Sequence, residues 1–268
     1  MLRSALAAIA LLLPAAAGAH NFWLEPEVQR LEEPGEIRVE FKVGDTGDEA
    51  ADWPVYWERI VGLRLSGPDG VSDQQQALRI TRRGVTGGAS IALDQPGTYV
   101  LAFESTASFS DLEAERFDRY VANEGLTAIA EHRARFGRSQ NSGTELYSRR
   151  AKTVLQVGPQ QTSNVTQRVG HTLEIVPHQN PYSMGEGEQL PLSVWFRGER
   201  LAGAKLTAAA IDGSVEVRSF QTGEQGEVTI PYQEGTPMLY TVVWGVPAPN
   251  DSRADYLTYF ASLTVDPR

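Results

Sequence analysis

His20 follows a stretch whose residue types match an export signal. Arg3 supplies a positive start, Leu6 to Leu13 an apolar core, Pro14 a break, and Ala17-Gly18-Ala19 an A-x-A cleavage site. Cleavage there predicts a mature chain beginning HNFWLEP, with His20 as its first residue. A terminal histidine carries a free amine and an imidazole on one residue, and together they chelate a divalent transition metal such as nickel, cobalt, copper or zinc. Ala15-Ala16-Ala17 is a second A-x-A match. A cut there would begin the chain Gly18-Ala19-His20, whose amine, two amide nitrogens and imidazole suit square-planar copper or nickel. The later cut is favoured, because it leaves a cleavage region of ordinary length and leaves His20 with open coordination positions. The plain alternative is that His20 merely follows a cleavage site and binds nothing.

Further ligands must come from distant segments. The chain has four histidines, His20, His132, His171 and His178, with no HxH or HxxxH pair. His178 is the favoured partner for His20, in a polar turn between the two halves. Glu25, beside Pro26, is near enough in sequence to neutralise a bound cation, so His20, His178 and Glu25 form the candidate metal set. His171 and His178, seven apart, fall on opposite faces of a regular strand. His132 flanks the helical face of Leu126, Ile129 and Phe136 and reads as a surface or helix-end residue. Phe22 and Trp23 read as anchors of the amino-terminal arm. Asp45, Asp48 and Glu49 match no calcium-loop spacing and read as a solvated turn. Arg149, Arg150 and Lys152 could hold an anionic chelator or carboxylate. The favoured reading pairs them with Glu113, Glu115, Glu124 and Glu145. No G-x-S-x-G, S-x-x-K, phosphate loop, dinucleotide fingerprint or HExxH occurs, so those hydrolase and cofactor chemistries have no support.

These residues must be positioned without disulfides, since the chain has no cysteine. Removing residues 1–19 leaves 249 of the 268, with 23 basic against 34 acidic side chains, a balance of −11. Such a chain repels nucleic-acid phosphates and anionic lipid and gathers cations. No second apolar run approaches a bilayer span, so no membrane insertion is expected once the signal is gone.

Short alternating runs fill both halves. IRVEFKV, IVGLRL, QALRI, ASIAL and TYVLAFE, separated by Gly, Pro and Asp turns, predict an antiparallel sandwich over residues 20–165. Residues 110–137 break that pattern and predict a helical insertion. Its cap is Ser110 or Asp111, Gly125 interrupts it and Gly137 closes it. A strand from Tyr147 to Val157 then returns to the sheet. TLEIV, LPLSVWF, KLTAAAI, VEVRSF, EVTIPY, MLYTVVW and YLTYFASLTV predict a second sandwich over 170–268, immunoglobulin-like or transthyretin-like. The fold class expected is mainly β: two antiparallel β-sandwich domains, the first with a helical insertion.

AHNFWLEP after the signal, VGD at 43–45, NEGL at 123–126, ELYSRRAKTVLQVG at 145–158, LEIVPHQNPY at 173–182, GERLAGAKL at 198–206 and ADYLTYFASLTV at 254–265 carry a resemblance. In these segments the chain resembles a NikM-like or CbiK-like periplasmic family of unknown domain function, associated with nickel and cobalt uptake. The resemblance implies that His20 is the family's recurring amino-terminal histidine. It also implies that Glu124, Arg133, Glu145, Tyr147, Arg149 and Lys152 form its polar helix-to-strand segment. The chain departs from the family pattern with Arg149-Arg150 where Arg-Tyr is usual, and with His171 and His178 at variable positions.

Three functions compete. The leading expectation is a periplasmic protein, with residues 1–19 as its signal, that captures a divalent transition metal, nickel, cobalt or copper, for a membrane metal-uptake system. It binds no nucleic acid. The alternatives are a copper oxidase built on an amino-terminal histidine chelate, which needs a second histidine nearby, and a metal-free sandwich that binds a partner or a sugar.

Overall fold

The computed structural model describes residues 21–48, 50–53, 55–80, 85–250 and 252–266. The signal at 1–19, His20 and Glu49 lie outside the described residues. The first half runs through β1 (Asn21–Pro26), β2 (Gly35–Gly44), β3 (Ile60–Gly67), β4 (Gly70–Asp73), β5 (Val85–Leu93), β6 (Gly97–Ser105) and β7 (Ser108–Leu112). Helices α1 (Ala114–Glu124) and α2 (Thr127–Arg135) follow, then β8 (Gly143–Val157). The second half runs through β9 (Leu173–Pro177), β10 (Gln189–Phe196), β11 (Lys205–Ala210), β12 (Arg218–Gln221), β13 (Glu227–Pro231), β14 (Met238–Pro247) and β15 (Tyr256–Val265). With 51% strand and 14% helix the protein is mainly β, as its alternating runs predict.

The strands form three sheets. A six-stranded sheet has β1, β2 and β5 side by side with short strands at its margins. A four-stranded sheet has β10 between β9 and β13. Between them lies a ten-stranded sheet in the order β12, β11, β14, β15, β8, β6, β3, β4, with β7 and a two-residue strand, Arg30–Leu31, also on β8. The expected boundary near 165–170 falls in the connection from β8 to β9, yet the sheet continues across it. The last strand, β15, pairs in parallel with β8, from Glu145 opposite Tyr256 to Thr153 opposite Thr264.

Successive side chains of a strand point to opposite faces, so each central strand serves two layers. On β6, Tyr99, Leu101 and Phe103 enter the core under the six-stranded sheet with Phe22, Leu24, Ile37, Phe41 and Ile91. Val100, one step away, enters the core under the four-stranded sheet with Ile175, Leu192, Tyr240 and Leu263. On β8, Leu155 goes to the first core and Val154 to the second. This two-sided burial explains why TYVLAFE is apolar almost throughout.

The helical insertion covers the rest of the face that carries the six-stranded sheet. In α1, Phe117, Tyr120 and Val121 recur at helical spacing and are buried with Ile129 of α2, Val243 of β14 and Tyr256 of β15. Gly125 ends α1 at φ +68, a left-handed conformation that glycine takes without strain. The expected cap is corrected. Ser110 and Asp111 belong to β7, and Glu113 stands at the cap position of α1 without a side-chain bond to the helix. The expected helical face is corrected at its end as well, since Phe136 is 59% exposed.

Candidate functional site

Strand β8 sorts the polar residues of ELYSRRAK by parity. Glu145, Tyr147 and Arg149 lie on the face shared with β1 and the helices, while Arg150 and Lys152 lie on the opposite face. On the first face Glu145 Oε2 accepts hydrogen bonds from Thr258 Oγ1 at 2.6 Å and from Tyr120 Oη at 3.2 Å. Burial raises the Glu145 carboxyl above its usual pKa, against the opposing effect of those hydrogen bonds and of the Arg149 charge. Burial likewise raises Glu124, with Lys205 opposing. Tyr120 is held well above its ordinary value by burial and by the charges of Glu145 and Glu124.

Arg149 continues this line toward β1. Its guanidinium carbon lies 5.5 Å from the ring centre of Phe260, 5.6 Å from Tyr147, 5.7 Å from Phe22 and 5.8 Å from Trp53. Phe22 also meets Trp53 at 4.6 Å and Phe103 at 5.4 Å. The amino end of β1 therefore abuts Arg149, which stands beside Tyr147, Tyr120 and Glu145. Phe22 and Trp23, at 4% and 1% exposure, are the anchors their composition predicts.

The opposite face is a buried charge cluster. Lys152 Nζ donates to Glu174 Oε1 at 2.9 Å, and Glu174 also accepts from the backbone N–H groups of Val169 and Gly170. Arg150 Nη2 donates to Glu104 Oε1 at 2.9 Å, and its guanidinium lies 4.9 Å from the Tyr259 ring centre. His171 is buried among these groups, and its Nε2 has no hydrogen-bond partner among the described residues. Burial, then Lys152, Arg150 and Arg64, hold its pKa well below the ordinary value. The expected pairing of Arg149, Arg150 and Lys152 with the helical insertion is thus corrected. Arg150 and Lys152 take Glu104 and Glu174, Glu115 pairs with Arg119 in its own helix, and only Arg149 lies near a carboxylate of the expected set, Glu145.

The described members of the candidate metal set belong to different sheets, Glu25 to the six-stranded one and His178 to the end of a strand of the four-stranded one. Glu25 Oε2 accepts from Trp23 Nε1 at 2.8 Å, on β1. His178 is largely exposed just beyond β9, where its backbone N–H donates to Pro191 O; the partial burial of its ring and the Arg200 charge lower its pKa, with Glu227 opposing. His132 lies on α2 with Nδ1 3.3 Å from Tyr256 Oη and its ring against Phe136. Among the described residues no three His, Asp or Glu side chains gather closely enough to hold a metal ion. The turn carrying Asp45 and Asp48 is pinned instead to the second half, where Gly47 N donates to Ile211 O at 3.0 Å.

Sequence reasoning missed Tyr120, Thr258, Glu104 and Glu174 as partners, because each comes from a segment far from β8. The parity of Arg149 and Arg150 was available in the sequence and separates them on its own. Of the segment named by the resemblance, Glu124, Glu145, Tyr147 and Arg149 belong to the β1 face. Arg133 pairs with Asp118 and lies over Phe117, and Lys152 belongs to the other face.

No curated protein matches the chain. Solved structures match weakly. The D0-D1 domains of intimin match at 12% identity over 92% of this chain and 97% of their own, with a TM-score of 0.22. Dimeric latent PorU from Porphyromonas gingivalis matches at 10% identity, 92% and 20% coverage and a TM-score of 0.20. A Salmonella alpha-2-macroglobulin variant matches at 11%, 93% and 15%, with a TM-score of 0.22. The chain thus spans a fifth or less of these last two, and none of the three likenesses carries an argument. Residues 17–243, most of the chain, match the domain of unknown function DUF4198, and the protein belongs to that family.

Proposed function

We propose that this protein captures a divalent transition metal, nickel or cobalt first and copper next, through the terminal amine and imidazole of His20 after export. It then serves a membrane uptake system from the periplasm, the role associated with NikM-like and CbiK-like proteins. One observation supports the reading most. Asn21, the first described residue, pairs opposite Gly44 on β2, and the next residue, Phe22, is wedged among Trp53, Phe103 and Arg149. A chain processed before His20 would carry its two nitrogen donors one residue ahead of an anchored strand, an arrangement that reduces the ordering cost of chelation. The described neighbours of Phe22 are rings and Arg149, so the copper-oxidase alternative, which needs a second histidine near His20, gains no support from them.

The test has two steps. Mass spectrometry of the exported protein establishes its first residue. Calorimetric titration with Ni(II) and Cu(II), wild type against His20→Ala, is expected to show binding lost in the variant. Affinity should fall as pH drops below neutral, because an amine of pKa ~7.7–8.0 must lose its proton to ligate. Equal binding by both proteins removes the proposal.

A further inference from the structure

We propose that Arg149 is a positioning residue that fixes the amino end of β1 by serving as the shared cation of a four-ring cage. Strand β1 is the outer strand of its sheet. It pairs with β2 from Asn21 opposite Gly44 to Pro26 opposite Val39, and no strand among the described residues pairs on its other side. Backbone bonding thus holds one side only, and side chains must hold the rest.

The rings of the cage come from four segments that meet only in the folded chain. Phe22 belongs to β1, Tyr147 to β8 and Phe260 to β15. Trp53 follows β2, and its backbone N–H donates to Phe41 O at 2.7 Å. All four ring centres lie within 5.8 Å of the guanidinium carbon, inside the ~6 Å over which a cation is drawn to an aromatic face. The backbone of Arg149 is itself held, since its N–H donates to Ser105 Oγ at 2.9 Å. A planar guanidinium can stack against several rings at once, and a hydrated ammonium cannot. Arg149 therefore joins β1 to the two adjacent central strands β8 and β15.

The metal arm of the test rests on the function proposed above, and the exchange arm does not. In processed Arg149→Met, hydrogen exchange at the β1 amides should be about tenfold faster than in wild type while the β14 amides keep their protection. Cu(II) affinity should fall about tenfold, with a shift of the visible absorption band of the copper complex. Arg149→Lys, which keeps the charge without the stacking plane, should restore only part of each. If Arg149→Met fails to fold, Phe260→Leu removes one ring without touching the charge and should show the same local exchange change, smaller in size. Unchanged β1 exchange, or a rise matched at β14, overturns the proposal, since a merely structural role loosens both strands together. If wild type binds no copper, the metal reading fails and the exchange result still decides the role of Arg149.

Discussion

A neutral imidazole is what the surroundings of His171 demand. Lys152, Arg150 and Arg64 face it as cations, Glu174 and Glu104 face those cations, and among the described residues its Nε2 has no partner that would reward a proton. Its folded pKa lies below the unfolded value of about 6.5, so the unfolded chain binds the extra proton as pH falls. Stability contributed at neutral pH is therefore lost on acidification below about 6.5. Glu145 and Glu124, raised by burial, act with the opposite sign in the window above their ordinary pKa. Subtracting a His171→Leu variant isolates the histidine. Urea unfolding should show wild type losing about 1 kcal/mol more than the variant between pH 7 and pH 5.5. Equal losses would mean that His171 takes up its proton as readily in the folded chain as in the unfolded one. None of this is visible in the sequence, where His171 is one polar residue beside a glycine. Its environment comes from β3, β6 and β8, each distant in the chain.

At the scale of elements, the helical insertion sits where two strands lack side chains. A Cβ at Gly143 of β8 would lie 2.2 Å from Phe117 Cγ, and one at Gly245 of β14 would lie 2.5 Å from Ile129 Cδ1. These glycines are seats for α1 and α2. Gly143→Ala and Gly245→Ala should each cost about 1–3 kcal/mol by overpacking, measured as a lowered thermal midpoint. Protection against hydrogen exchange should fall first in the helix that each glycine faces. A variant as stable as wild type would mean that the helices shift freely on the sheet. The existence of both helices was legible from the loss of alternation after residue 110 and from Gly125 and Gly137. Their start was not, because Ser110 and Asp111 look like caps yet Phe109 and Leu112 continue a strand along β8. Strand β1 was missed for a similar reason, since six residues of NFWLEP carry too little alternation to separate a strand from an anchored arm.

The whole molecule is held by one continuous sheet. The parallel pairing of β8 with β15 joins residues more than a hundred positions apart, and the Lys152–Glu174 bond ties the four-stranded sheet to the same strand. The two halves should therefore unfold together. Scanning calorimetry is expected to give one transition with equal calorimetric and van't Hoff enthalpies, and two resolved transitions would show that the sheet is two units sharing an edge. The sequence by itself determined the mainly β class, the order of nearly all the long strands and the helical insertion, because period-two alternation, turn residues and helix stops are local signals. It could not determine that the last strand returns to lie beside β8, nor that Arg149 and Lys152 end in different environments, one caged by rings and the other buried against a carboxylate. Those outcomes depend on which distant strands meet, and that is set by how three sheets share their buried faces, a property of the assembled core that no short stretch of chain contains.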